Sequence, residues 1–418
     1  MTETGSGPAG SGPAGSGPAG SGRTGATAAA AGAAAPAPVP LPALPMLDGL
    51  RAVAALAVLL THVAFQTGEV ARGAGGALLA RFDAGVAVFF ALSGFLLYRP
   101  HAVALRAGAA APSPRRYALR RAARILPAYW AALAAVALTA AAAPPGRVGT
   151  HLWLGQTYAG GLFPAFTQTW SLCTEVAFYA VLPLVAAVVR RVAARRGPAA
   201  EWWLLGGLAL AAYAYIGVVR GLGLPDRALL WLPGHLDWFA VGMLVAALWA
   251  HPDRPGAAVP APVRWARALA AWPGTCWALA GTLLWLVATP VAGPLTLEPI
   301  PGGATLVKEA AYAVVGLLLL MPAALGDPRS GGLAAVLAHP ASRWLGRISY
   351  GVFLWHLLVL RWVYAAAGWE PFTGRLGVVA AVTVAGSVAV AALSWVVLER
   401  PALRLADRLG RRRATATA

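Results

Sequence analysis

Residues 47–65 read LDGLRAVAALAVLLTHVAF. Between Arg51 and His62 stand ten residues, all alanine, valine or leucine except one threonine. Apolar stretches of this kind recur from Leu47 onward, at about the 17–25 residues that let a helix cross ~30 Å of hydrocarbon. They are expected at 51–66, 82–98, 124–143, 176–190, 202–219, 230–250, 272–290, 305–323, 346–366 and 376–397. Pro183 and the Gly234–Asp237 stretch are expected to interrupt the fourth and the sixth. The fold class that follows is all-α: a polytopic membrane protein of about ten transmembrane helices.

Composition excludes the soluble alternatives. Of 418 residues, 59% are hydrophobic and 11% charged, against roughly 45–50% and about 25% in soluble domains. So few charges cannot cover a soluble surface of this size. The net charge of +18 would suggest nucleic acid in a soluble chain. Here the basic residues fall between apolar spans, and 25 of the 33 lie on the side that also holds the N-terminus. By the positive-inside rule both termini are cytoplasmic and the ten spans close the count. Basicity is then topology, and no nucleic-acid partner is expected. Cys173 and Cys276 form neither a CxxC pattern nor a zinc spacing.

Three domains are expected. Residues 1–45 carry three SGPAG units and an Ala/Pro tract, a disordered tail because it offers no apolar face to bury. Without a basic start and an unbroken apolar core it is not a signal peptide. Residues 46–405 form the transmembrane domain, and residues 406–418 a basic cytoplasmic tail.

Ionisable residues at membrane depth are costly, which makes them functional candidates. Arg51 and His62 are eleven residues apart; at about 100° per residue they share one helix face, about 16 Å apart along the axis. This suits a long substrate, anionic at one end and reactive at the other, but equally an anchoring arginine and a packing histidine. The segment RRYALRRAARILPAYW gathers Arg115, Arg116, Arg120, Arg121 and Arg124, either a phosphate-binding cluster or orientation charge. Glu175, in FTQTWSLCTEVAFY, can orient a base or bind a hydroxyl, or complement a helix dipole. Ser93-Gly94 permits close helix contact. Asp237 in LPGHLDWFAVG, and Tyr350 and His356 in GRISYGVFLWH, are further polar groups within apolar runs.

Taken in order, LDGLRAVAALAVLLTH, FFALSGFLLY, RRAARILPAYW, TWSLCTEVAFY, HLDWFAVG, ISYGVFLWH and VLERP resemble the acyltransferase 3 family of integral membrane O-acyltransferases, over about residues 46–405. The resemblance implies transfer of an acyl group, usually acetyl, from cytoplasmic acyl-CoA to a hydroxyl of a carbohydrate, glycolipid or secondary metabolite such as a macrolide. It implies His62 as the catalytic histidine with Arg51 its partner in an arginine-x10-histidine pattern. Arg121 and Arg124 match the RxxR pair assigned to coenzyme A, and Glu175 the acid of WSLxxExxFY. Ser93, Asp237, Tyr350 and His356 are the candidates for touching substrate. Ala87 stands where many members have an acid, and no appended SGNH-type hydrolase domain is expected. Acyl-CoA is a co-substrate; no cofactor and no metal are called for, and the lipid bilayer and the acceptor are the other partners. A multi-pass protein of a bacterial plasma membrane is expected. His62 can act as a base or accept the acyl group covalently. The competing class is a carrier or flippase for a lipid-linked or glycosidic substrate; a non-catalytic scaffold fits poorly with so many polar groups at membrane depth.

Overall fold

A computed structural model describes residues 41–139, 145–252, 255–256, 258–295 and 301–412. The expected tail at 1–45 therefore lies almost wholly outside the described residues, as do 413–418. Fifteen α-helices and no strand are found among the described residues. They begin with α1 (Pro45–Gln66), α2 (Gly73–Ala80), α3 (Gly85–Arg106), α4 (Pro114–Thr139) and α5 (Pro145–Leu152). Then come α6 (Thr169–Arg196), α7 (Ala200–Gly221), α8 (Leu236–Trp249), α9 (Ala261–Ala270) and α10 (Pro273–Val287). The last five are α11 (Gly302–Leu325), α12 (Gly332–Ala338), α13 (Pro340–Ala367), α14 (Leu376–Ser394) and α15 (Arg400–Arg412).

Nine helical segments of the described residues are long and apolar enough to cross a membrane, or ten if α9 and α10 count as one. That pair is bent by 88° at the break before Pro273, so the span expected at 272–290 is the single 15-residue helix α10, with α9 turned away from its start. Pro273 explains the break, because proline starts a helix well but cannot continue one. Pro183 has the opposite outcome: α6 runs unbroken through it. The carbonyl that Pro183 leaves without its helical partner, that of Tyr179, accepts instead from the Tyr117 hydroxyl of α4 at 3.1 Å, and such re-satisfaction is what lets membrane helices tolerate proline. The sixth span begins as expected with a tight turn, Leu232–His235, before α8.

α1, α3, α8 and α13 are the most buried spans, whereas α7 and α14 bury far less of their length. Outward-facing Trp203, Leu184, Leu210 and Leu393 are exposed, as expected of side chains that meet lipid. At the centre, α3 and α8 meet through small residues set among the stacked rings of Phe90, Phe239 and Phe178. A Cβ on Gly94 of α3 would overlap the Phe239 carbonyl of α8, and one on Gly242 of α8 would overlap the Ala91 carbonyl of α3. The two glycines thus let the backbones touch reciprocally, the close-approach device of membrane helices. Beyond α14 a π-turn, Trp395–Glu399, swings the chain into α15. Arg120 of α4 is ion-paired with Asp407 of α15, so the expected basic tail is helical as far as Arg412.

Candidate active site

Six of the nine residues singled out from the sequence line one cavity: Arg51, Ser93, Arg121, Arg124, Glu175 and Tyr350. They come from α1, α3, α4, α6 and α13, so only packing brings them together. Tyr179, one turn beyond Glu175 on α6, joins them. Its hydroxyl donates to Glu175 Oε1 at 2.6 Å, and Ser93 Oγ donates to the same oxygen. Among the described residues no hydrogen bond reaches Glu175 Oε2. Tyr350 is fixed by its own hydroxyl, which donates to the Ile125 carbonyl at 3.0 Å.

The three arginines have different partners. Arg124 Nη1 donates to Glu399 Oε2 at 2.6 Å and its Nη2 to the Arg347 carbonyl at 3.0 Å. Its guanidinium also lies 4.9 Å from the centre of the Trp395 ring. Arg51 is 3.9 Å from Asp48, a separation at which a half-exposed pair contributes little. Arg121 has no acid partner among the described residues; it lies 5.9 Å from the Tyr179 ring centre. The positive charge left over for a ligand therefore resides on Arg121 and Arg51 more than on Arg124.

His62 does not line this cavity. It lies further along α1, where its Nδ1 is 2.7 Å from the Val58 carbonyl and 3.3 Å from Nε2 of His356. Phe353 connects the two regions: it lines the cavity, and its ring centre is 6.0 Å from that of His356. Phe89 packs edge-on against Phe353 at 5.8 Å. Arg51 thus lines the cavity and His62, eleven residues further along α1, lies outside it, with Phe353 touching both regions.

His356 is fully buried and bonded to His62 rather than open to the cavity. Asp237 is brought to neither place. It is buried beside a separate polar group, where His235 Nδ1 meets Glu309 Oε1 at 2.7 Å and Trp238 donates to the Glu309 carbonyl at 3.1 Å. The residues missed from the sequence are Tyr179, Glu399 and Glu309. Tyr179 and Glu399 lie inside motifs already quoted, TWSLCTEVAFY and VLERP; Glu309 is an acid within the span at 305–323, and Glu399 stands two residues beyond the span at 376–397. The rule that singled out Asp237 applies equally to Glu309.

Residues 44–398 match the profile of a family described as an acyltransferase domain. The chain is 29% identical over 401 residues to acyltransferase MdmB of Streptomyces mycarofaciens, covering 90% of this chain and 95% of that one. It is 26% identical to nodulation protein 10 of Rhizobium leguminosarum bv. viciae, covering 79% and 84%. It is 27% identical to the exopolysaccharide production protein ExoZ of Rhizobium meliloti (strain 1021), covering 77% and 89%. No solved structure matches the chain. With the profile matched over residues 44–398 and nine or ten apolar helices among the described residues, the chain belongs to the acyltransferase 3 family of membrane acyltransferases.

Proposed function

We propose that the protein transfers an acyl group, in the first place acetyl, from acyl-CoA to a hydroxyl, with His62 as the general base. The observation that carries this reading is the alignment of Arg51 and Arg121 at one depth with the imidazole of His62 at another. Acyl-CoA needs such a span, because its phosphates are anionic and its thioester lies a pantetheine arm away. Guanidinium groups hold phosphate through charge-assisted hydrogen bonds. The basic end of the bundle then faces the cytoplasm, where acyl-CoA is made.

The chemistry follows from the side chains. The Val58 carbonyl can only accept, so the proton of neutral His62 sits on Nδ1 and the lone pair on Nε2. That lone pair takes the acceptor's hydroxyl proton as its oxygen attacks the thioester carbonyl. The C–S bond breaks, and the proton passes from Nε2 to the departing thiolate. Glu175, already accepting from Ser93 and Tyr179 through Oε1, keeps Oε2 for a donor group of the substrates. The relative named for exopolysaccharide production favours a carbohydrate hydroxyl as the acceptor, within a class that also includes glycolipids and secondary metabolites.

The test is thiol release from acetyl-CoA by the purified protein in detergent, with and without a cell extract supplying acceptor. His62→Ala is expected to lower turnover by about 10²–10⁴-fold while leaving the chromatographic profile unchanged. Near-normal turnover in that variant removes His62 from the chemistry. A wild-type protein inert towards acyl-CoA in the presence of acceptor favours a carrier instead.

A further inference from the structure

The geometry points to His356 as a positioning residue that fixes the tautomer of His62 and supports its Nδ1 proton. This rests on the reading of His62 as the base, and adds a second imidazole that never touches substrate. Each ring is assigned by a different carbonyl. His62 Nδ1 lies 2.7 Å from the Val58 oxygen, four residues back on α1. His356 Nδ1 lies 2.7 Å from the Phe353 oxygen, three residues back on α13. A carbonyl cannot donate, so both Nδ1 atoms carry protons. Neutral His356 therefore has a bare Nε2, and that atom faces His62 Nδ1 at 3.3 Å. The two local assignments agree: one N–H shared between the Val58 oxygen and a nitrogen lone pair.

The opposite tautomer of His62 is penalised twice. With the proton on Nε2, the bare Nδ1 would face a carbonyl oxygen and the lone pair of His356 at once, with no donor among them. The observed arrangement keeps Nε2 of His62 free to accept a proton. When it does so, the charge spreads to Nδ1–H, and hydrogen bonds from a charged donor are roughly twice as strong as neutral ones. His356 then favours the protonated form that appears as the hydroxyl oxygen attacks. The logic is that of the acid behind the histidine of a serine hydrolase, which sets tautomer and orientation without itself taking the proton. Complete burial, 0% exposed, and ring centres 5.0 Å apart hold the second imidazole in that place.

Two substitutions separate this role from packing. His356→Gln keeps an acceptor near the position of Nε2, whereas His356→Phe keeps the ring volume and removes the acceptor. With acetyl-CoA, the Phe variant is expected to lose roughly 10–100-fold in kcat, the scale known for hydrogen-bond partners behind metal-bound histidines. Its KM for acetyl-CoA should stay within about twofold, and the Gln variant should recover most of the rate. Equal losses in both variants overturn the proposal. A second readout needs no turnover: diethyl pyrocarbonate acylates a bare imidazole nitrogen, and peptide mass mapping follows its rate at His62. That rate should fall several-fold in the Phe variant and be restored by Gln, with His101 unchanged as the internal control. An unchanged rate at His62 in the Phe variant refutes the inference. Faster modification at both histidines marks a misfolded variant and leaves the Gln comparison to decide. If the wild type proves inert towards acyl-CoA, the enzymatic reading fails while the modification rates still decide the tautomer.

Discussion

The RxxR pair offers the sharpest test, because Arg121 and Arg124 are three residues apart in sequence yet differently employed. Arg121→Ala removes a guanidinium with no acid partner among the described residues, stacked on Tyr179. A hydrogen bond from a charged group is worth about 1.5–3 kcal/mol, or about 10–150-fold in affinity at 1.4 kcal/mol per decade. Because Arg121 is partly exposed, the lower end applies: about a tenfold rise in KM for acetyl-CoA, with little change in stability. Arg124→Ala is a different perturbation. It strips Glu399, whose side chain is 0% exposed, of its only salt-bridge partner among the described residues. Removing one member of a buried pair costs about 3–5 kcal/mol, which in a chain of 418 residues corresponds to a melting temperature lower by roughly 3–6 °C.

The assay is a thermal melt followed by fluorescence-detected gel filtration, run beside KM for acetyl-CoA on the same preparations. A rescue makes the reasoning strict. Replacing both members, Arg124→Met with Glu399→Leu, removes the stranded charge and should restore most of the lost melting temperature, since apolar replacement of a buried pair is often neutral or better. If Arg124→Ala melts like the wild type while raising KM as much as Arg121→Ala, Glu399 does not hold Arg124 and the two arginines act alike on the ligand.

Three further outcomes are expected. Gly242→Ala should cost about 1–3 kcal/mol, the scale of overpacking, because its Cβ would overlap the Ala91 carbonyl; an unchanged melting temperature would show that α3 and α8 can separate freely. A reporter after Arg413 should read cytoplasm and one within 150–168 the outside, so an outside signal from the C-terminus breaks the orientation argued from the arginines. Deleting residues 2–40 should leave insertion and transfer intact, since orientation is set mainly by charges within about 15–20 residues of a span and that segment carries only Arg23; loss of activity on free acyl-CoA in a normally inserted protein would give the tail a role.

The spans were legible because hydrocarbon imposes a length and a composition that few other environments demand. What hydropathy cannot supply is direction, and the 88° bend between α9 and α10 falls just before the span read at 272–290. Pro183 misled because the carbonyl it frees, that of Tyr179, is met by the Tyr117 hydroxyl 62 residues earlier in the chain, a partner that the sequence of α6 does not show. At the site, spacing along α1 put Arg51 and His62 on one face; Arg51 lines the cavity, and His62 meets His356 outside it. The partners of those groups were not legible, since Arg124 meets Glu399 across 275 residues and His62 meets His356 across 294. A polar residue in an apolar run announces only that something must satisfy it. Asp237 and His356 give the same announcement in sequence, yet one is buried in a separate cluster and the other closes on His62. Spacing places a side chain on a helix face; the packing of α13 against α1 decides that the Nδ1 side of His62 meets a second imidazole.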